Sequence, residues 1–417
     1  MKSLFELRPI FSALLRNKLG PVLVATQVAL SLAILVNAIY IVNLRLDVAA
    51  RPSGIANESE VFRVHISNQI LGGHADQIAM QRREADTIRA VPGVTSVARV
   101  SSFPVSRSGS NTSVFIDRKQ EVPTANTGIF VSPDSLVNIW KLRLIEGRDF
   151  QAGDYIEQDP SVSNDFVKKV IVSKALAQKL FPGQTHFVGK EFFFGTGSTA
   201  NAVTIVGVVE TLQTSGAQAS QNGEFGTLLP ARLSGQTYDG YAVRAEAGQT
   251  DRVMREVEEA VRKASVTPVY VKASSMEKFR ANRYRSEKGL AWMLLAVSAL
   301  LVVVTASGIV GMSTLWVAQR RKQIGIRRAL GARRIDILRY FILENWLITS
   351  AGVVFGSLLA IGLNQLLVSQ FELSKLPTPY LFFAPLVFWI LGILAVYAPA
   401  WKAASISPAT ATRGVVG

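Results

Sequence analysis

A glycine-flanked segment at residues 183–191 is the nearest approach to a phosphate-binding loop in this chain of 417 residues. A P-loop separates its two glycines by four residues and continues with Lys and then a Ser or Thr that holds Mg²⁺. Here five residues separate Gly183 from Gly189, and Glu191 follows Lys190. The segment therefore does not predict nucleotide binding.

The sequence also lacks the residue patterns of other catalytic and metal-binding sites. The chain has no cysteine, which excludes disulfide scaffolds, thiolate metal sites and cysteine nucleophiles. The three histidines, His65, His74 and His186, are scattered without the spacing of metal ligands. The serines form no recognisable nucleophile elbow. We predict no catalytic residue, no metal site and no cofactor-binding residue in this chain.

The densest group of charges lies at residues 318–340, with eight basic residues and one acidic residue. The pattern predicts a helix that continues the apolar segment before it, a break at Gly331, and a new helix that runs into the next apolar segment. Gly325 and Gly331 permit a close approach or a sharp turn.

This loop has the side chains of a docking element. Apolar residues at helical spacing could fill a groove on a partner, and they are Ile324, Ile326 and Leu330. Guanidinium groups could donate paired hydrogen bonds to a partner's carboxylates, and they belong to Arg320, Arg327, Arg328 and Arg334. In the alternative interpretation the arginines only set membrane topology and the apolar residues face lipid.

Four apolar segments are long enough to cross a bilayer, which takes about 20 residues; they are residues 20–44, 290–317, 341–368 and 381–401. Glu344 is the one charged residue among them. A content of 49% hydrophobic and only 18% charged residues excludes a disordered chain. The first segment resembles a cleavable signal peptide, but its apolar run is about twice the usual 7–15 residues. We therefore favour an uncleaved membrane anchor.

The charge distribution predicts the orientation of the chain. Residues 1–19, 318–340 and 402–417 carry net charges of +3, +7 and +2. Short segments rich in Lys and Arg stay in the cytoplasm, so both termini and the 318–340 loop are predicted inside. Residues 45–289 and the short loop 369–380 are then outside. The basic excess is accounted for by topology and by contact with anionic membrane lipid, so it does not indicate a nucleic-acid partner.

Residues 45–289 are numerous enough for a domain with its own core. Strand, helix and strand patterns follow one another in residues 45–105 and again in residues 239–289. Two βαβ halves around an insert at 106–238 predict a split ferredoxin-like sandwich with an inserted mixed α/β subdomain. The predicted fold class is therefore a membrane protein of four transmembrane helices with a large α+β extracytoplasmic domain.

Small residues recur every fourth position in two of the spans, a spacing that lets helices approach closely. They are Ala25, Ala29 and Ala33 in the first span and Gly352, Gly356 and Ala360 in the third. The alternative is that they simply face lipid. Glu344, near the start of the third span, is predicted to be either an interface residue or the partner of a basic loop residue.

The segment IGIRRALGARR, Ile324 to Arg334, resembles the loop motif of the MacB/FtsX-type permeases, the membrane subunits of type VII ABC transporters. Residues 140–150, 172–190 and 204–210 are similar to the core domain of that family, and residues 399–413 to its terminal segment. The order of one span, a large domain and three spans also agrees. The loop departs from the family at Gln319 and Gln323, where acidic residues are usual, which puts in doubt any salt bridge from those positions.

The resemblance implies a permease subunit of the bacterial inner membrane, without a fused ATPase and without catalysis of its own. A cytoplasmic ABC ATPase dimer, which would bind the ATP and Mg²⁺, would grip the loop on each of two permease subunits, identical or paralogous. Closure of the ATPases would then move the periplasmic domains by mechanotransmission, for export or extraction of a substrate. A periplasmic adaptor and an outer-membrane channel are further partners in that interpretation.

Two other functions stay open on the sequence alone. An FtsX-like regulatory subunit would activate a cell-wall hydrolase or another periplasmic partner, although such subunits have smaller outer domains in our expectation. A membrane receptor is a more remote alternative, because only short basic segments would be available as its cytoplasmic output.

Overall fold

A computed structural model describes residues 18–68, 72–159, 162, 165–216, 221–234, 238–371 and 376–405. Most of the predicted cytoplasmic segments 1–19 and 402–417 lies outside these residues. The chain divides into two compact units. Residues 48–286 form one, which we call the α/β unit, and residues 1–47 with 287–417 form the other, which we call the helical unit.

The chain enters the α/β unit from a long apolar helix, α1 (Leu19–Ala50), and leaves it through a second long helix. Between them, the first strand–helix–strand half consists of β1 (Val61–Asn68), α2 (His74–Arg89) and β2 (Val94–Arg99).

Eight strands and two short helices follow in the insert. They are β3 (Ser110–Phe115), β4 (Ala125–Ser132), α3 (Leu136–Ile139), β5 (Leu144–Gly147), β6 (Ile156–Gln158), β7 (Lys169–Ser173), α4 (Lys174–Leu180), β8 (Glu191–Phe194), β9 (Asn201–Val209) and β10 (Gly226–Leu233). The second half then comprises β11 (Tyr238–Ala245), α5 (Thr250–Ala264) and β12 (Val269–Ser275).

The two halves combine into one antiparallel sheet with strand order β12–β1–β11–β2. In β1, Phe62, Val64 and Ile66 point to the same face and are buried there, since successive side chains alternate across a strand. That face packs against the stripe Val253, Val257 and Val261 of α5, which is spaced one helical turn apart. The predicted ferredoxin-like arrangement of two split βαβ halves is confirmed.

Six strands of the insert pair with one another in a closed ring. Neighbouring strands run β4–β3–β8–β9–β7–β10, and β10 pairs again with β4, while β5 and β6 add to β9 and β10. Closure leaves no free edge on this ring of six strands, and it encloses an apolar core with Phe192, Val208 and Leu229. Four strands of the insert have weak strand patterns in the sequence, because β4 and β10 carry an internal Gly or Pro and β5 and β6 are very short.

The chain continues with α6 (Met276–Gln319), which enters the helical unit at Glu287, and then with α7 (Arg321–Ala329), α8 (Arg334–Phe371) and α9 (Thr378–Ala404). Helices α1, α6, α8 and α9 are each long and apolar enough to cross a membrane. Helix α1 is the most enclosed of the four, with Val28, Leu32 and Val36 completely buried. The four helices and the α/β domain confirm the predicted fold class. Each helix extends beyond its predicted span at both ends.

The small residues of the first and third spans meet at one crossing between α1 and α8. A methyl group added to Gly352 would lie 2.7 Å from the carbonyl oxygen of Ala25, and one added to Gly356 would lie 2.8 Å from that of Ala29. Further along, the Asn37 side-chain amide donates to the carbonyl oxygens of Ala33 (3.0 Å) and Ala360 (3.1 Å). The structure therefore brings all six residues together where backbone approaches backbone.

This crossing predicts that Gly356→Val destabilises the helical unit, because the added atoms meet the backbone of α1 and cannot be relieved by a rotamer change. Overpacking of this kind costs about 1–3 kcal/mol. Gly362→Val is the matched control, since a methyl group added to Gly362 of the same helix would have no neighbouring atom within 4 Å. We expect a lower melting temperature in detergent for the first variant only; equal shifts would show that the crossing is not close.

Candidate functional site

The loop between α6 and α8 consists of the short helix α7 between two breaks. Arg320, between α6 and α7, has φ −98° and ψ 9°, outside the helical range. Gly331, between α7 and α8, has φ +96°. The predicted break at Gly331 is present, but the helix expected to run unbroken from α6 up to it is interrupted at Arg320.

Backbone hydrogen bonds fix the turn at Gly331. The N–H of Ala332 donates to the carbonyl of Arg327 at 3.0 Å, and that of Gly331 to the carbonyl of Arg328 at 3.2 Å. This is the Schellman pattern of a helix C-terminus, which requires the positive φ that glycine adopts without strain. Beyond the turn, the Asp336 carboxylate accepts the N–H of Arg333 at 2.9 Å and caps the start of α8.

One face of α7 packs inside the helical unit. Ile324 is 4% exposed and lies in a cluster with Ile337 and Phe341 of α8 and with Ala400 near the end of α9. Gly325 is buried beside it. Ile324 was predicted to fill a groove on a partner protein, but it is instead an internal contact, because helical spacing turns it toward α8.

Arg320 and Arg327 also turn toward α8, where Arg320 is partly buried and Arg327 is exposed. One Arg320 nitrogen donates to both oxygens of Glu344 at 2.8 Å, and the Glu344 side chain is 1% exposed. The Arg327 guanidinium lies 5.1 Å from the centre of the Tyr340 ring. Of the two roles considered for Glu344, the structure shows the pairing with a basic loop residue. Arg320 is consequently not free to bind a partner's carboxylate.

The opposite face is exposed and combines apolar and cationic side chains. Leu330 is 83% exposed and Ile326 is 47% exposed, one helical turn apart. Arg334, beyond the turn, is exposed, whereas Arg328 is half-buried and donates to the carbonyl of Ala332 at 3.3 Å. Lys322 lies one helical turn before Ile326 and is exposed, as are Arg321, Arg333 and Arg339 elsewhere in the segment. We call Lys322, Ile326, Leu330 and Arg334 the loop surface; it suits an apolar groove with an acidic rim.

A second group of contacts joins the ends of α1 and α6 within the α/β unit. Arg280, in the first turns of α6, donates to the carbonyls of Ala49 (3.1 Å) and Arg51 (2.9 Å) and to both oxygens of Glu58 (2.7 and 3.1 Å). Glu58 also accepts from the Ser53 hydroxyl at 2.6 Å. No sequence signal marks this cluster, because Arg280 is more than 220 residues away from its partners.

Burial alone would raise the pKa of the Glu58 carboxyl, but hydrogen bonds from Arg280 and Ser53 outweigh it and hold that pKa below its ordinary value. In the helical unit, a salt bridge joins α1 and α6. A guanidinium nitrogen of Arg45 lies 2.7 Å from a carboxylate oxygen of Glu287.

The segment at 183–191 has its backbone donors already occupied. The Glu146 carboxylate accepts the N–H groups of Phe187 and Val188 at 3.0 Å, where a phosphate would need to bind. Gly183 and Gly189 adopt positive φ in open turns. Among the described residues, no three His, Asp or Glu side chains are grouped closely enough to hold a metal ion.

Comparison with known proteins gives two family matches that together cover most of the chain. Residues 35–260 match the MacB-like periplasmic core domain, and residues 295–408 match the FtsX-like permease C-terminal domain. A macrolide export ATP-binding/permease protein MacB of Chromobacterium violaceum is 27% identical over 273 residues, which are 63% of this chain and 42% of that protein. The MacB of Pasteurella multocida is 26% identical, over 69% of this chain and 43% of its own length.

Shorter matches include a pyoverdine export ATP-binding/permease protein PvdT of Pseudomonas syringae pv. syringae. It is 32% identical over 127 residues, 30% of this chain and 19% of that protein. The matches to these two MacB proteins include most of this chain but only about two-fifths of each MacB protein.

The Arg280 cluster predicts a pH-dependent loss of stability in Glu58→Gln. At neutral pH the variant should lose about 1–3 kcal/mol of unfolding free energy, since it breaks hydrogen bonds to a charged group. A depressed folded-state pKa contributes stability above the unfolded pKa and loses it as the pH falls through the folded one. The melting temperatures of the full chain and the variant should therefore converge below about pH 4.

Glu256→Gln is the control for this prediction, because Glu256 pairs with Arg252 on an exposed helix face at 2.7 Å. Exposed pairs contribute little, so that variant should behave like the wild type at every pH. A difference for Glu58→Gln that stayed constant from pH 7 to pH 3 would contradict the assignment of the charge pair.

Proposed function

Because this chain belongs to the MacB/FtsX-type ABC transporter permeases, we propose that it transmits ATP-driven movement from a partner ATPase to its α/β unit in an export process. One observation carries this proposal. Helix α6 is a single helix of 44 residues whose first residues belong to the α/β unit and whose last residue precedes the loop. At 1.5 Å per residue it is about 66 Å long. Displacement of the loop would thus reach the α/β unit through continuous helix.

The loop surface is the proposed ATPase contact. Leu330 and Ile326 would enter an apolar groove, as in helix-in-groove docking. Arg334 and its cationic neighbours would pair with acidic residues on the rim of that groove. In this proposal the partner binds ATP and Mg²⁺, and this chain contributes the docking surface and the helix that moves.

The α/β unit would receive the movement at Arg280. Because that side chain binds the end of α1 and Glu58 together, a shift of the first turns of α6 would carry residues 49–58 with it. Those residues lead directly into β1, which lies between β12 and β11 in the ferredoxin-like sheet. We further propose that two such chains, identical or paralogous, act together, with a periplasmic adaptor and an outer-membrane channel as additional partners.

The proposed location is the bacterial inner membrane, with the loop in the cytoplasm and the α/β unit in the periplasm. Its support is the net charge of +7 on residues 318–340. The class of activity is supported by relatives whose names specify export of macrolides, syringafactin and pyoverdine. The cargo of this chain is proposed only as an exported substrate of that general kind.

The orientation can be tested directly because the chain has no cysteine of its own. Lys119→Cys places a thiol on an exposed turn of the α/β unit, and Lys322→Cys places one on the loop surface. A membrane-impermeant maleimide should label the first in cells whose outer membrane alone is permeabilised, and the second only after the inner membrane is opened. The reverse pattern would contradict the proposal.

The docking proposal predicts that Leu330→Glu and Arg334→Ala each reduce co-purification of the ATPase at least tenfold. Both side chains are exposed, so the melting temperature of the permease should not change. Lys402→Ala is the control, since Lys402 is an exposed cation at the end of α9 outside the loop surface. Unchanged co-purification in both loop variants would remove this surface as the ATPase contact.

A further inference from the structure

The side of α7 that faces α8 carries its own set of contacts. Arg320, Ile324 and Arg327 follow one another at helical spacing, so their side chains lie on one side. They meet a matching series on α8, where Tyr340 and Glu344 are also one turn apart. Arg320 binds Glu344 at one end of α7, and Arg327 covers Tyr340 nearer the other end.

We propose that Arg320 and Glu344 are a positioning pair, which holds the α6–α7 junction against α8 so that the loop moves as one body with both helices. This proposal rests on the proposed function of the loop as the ATPase contact. It assigns Arg320 a role inside the chain and leaves docking to the exposed residues.

The burial of the pair supports a positioning role. The Glu344 side chain is 1% exposed and that of Arg320 is 22% exposed. A buried carboxylate is strongly unfavourable unless it is paired and hydrogen-bonded, so Glu344 constrains Arg320 to stay in place. Apolar contacts around Ile324 could slide along α8, whereas a two-oxygen hydrogen bond at 2.8 Å fixes one register.

The location of the pair explains why its register would matter. Arg320 is the residue at which α6 stops being regular helix, which is where a load on α7 could bend the chain instead of moving α6. A bond from this residue to α8 opposes such bending. Tyr340 lies next to the pair, with its hydroxyl 3.4 Å from Arg320, and occupies the space between the two arginines.

The test uses the full chain in lipid nanodiscs, first without any ATPase. Glu344→Gln and Arg320→Gln should each speed hydrogen exchange of the α7 amides at least tenfold. Arg321→Gln is the matched control, because Arg321 is adjacent in sequence and exposed. Unchanged exchange in both single variants would overturn the proposal.

Two double variants separate positioning from general stability. The charge reversal Arg320→Glu with Glu344→Arg should restore slow exchange to within about threefold of the wild type, because it restores the paired charges. The apolar pair Arg320→Met with Glu344→Leu should recover the melting temperature but leave α7 exchange fast. Slow exchange in the apolar pair would show that packing alone positions the loop. If the charge reversal fails to fold, Arg320→Lys takes its place in the test. Because it keeps the charge, its α7 exchange rate should lie between those of the wild type and Arg320→Gln.

Co-purification of the ATPase distinguishes this proposal from the docking proposal. Both single Gln variants should retain the ATPase within about twofold while its stimulation by the permease falls. If Arg320→Gln lost the ATPase and Glu344→Gln did not, Arg320 would be a docking residue and the positioning role would be wrong. If the wild type itself bound no ATPase, the docking proposal would fail, but the exchange results would still decide the role of the pair.

Discussion

The close crossing of α1 and α8 is the constraint on which the helical unit depends. Lipid does not drive apolar helices together, so the helices must gain their association from close packing and from hydrogen bonds between them. Gly352 and Gly356 allow close packing because they let the backbone of α1 approach α8. Asn37 provides a hydrogen bond between the helices, to the carbonyl of Ala360. With α1 fixed in this way, its remaining surface is available to α6.

In the proposed function, the loop has to meet two requirements that a single exposed helix could not meet. A docking surface must be accessible, yet a surface that transmits force must be attached firmly to what it moves. Helix α7 separates the two by periodicity: Ile326 and Leu330 are exposed, whereas Ile324 is buried against α8. The Schellman turn at Gly331 satisfies the carbonyls of Arg327 and Arg328 and leads into α8, against which Ile324 is buried.

Much of this arrangement could be predicted from the sequence, and the remainder shows where pattern alone is insufficient. The four spans, the two βαβ halves and the family follow from long apolar runs, period-two and helical spacing, and the motif at 324–334. The roles predicted for Arg320 and Ile324 were wrong, since a cationic amphipathic helix has the same sequence pattern whichever face is buried. Which face is buried depends on Glu344, a residue of the next span, and on the pairing geometry that only the folded chain fixes.

In the proposed mechanism, the contacts at Arg280 bear on which helix would carry the movement. Helix α6 alone could bend or rotate, but in the helical unit it is joined to α1 by Arg45 and Glu287 and, deeper in the span, by the hydroxyls of Ser31 and Thr305 at 2.8 Å. In the α/β unit, Arg280 joins the start of α6 to Ala49 at the end of α1 and to Arg51 just after it. A displacement applied to α6 therefore acts on a pair of helices joined at several levels. Two joined helices resist bending and rotation better than one, so the pair and not α6 alone is the element suited to transmit force.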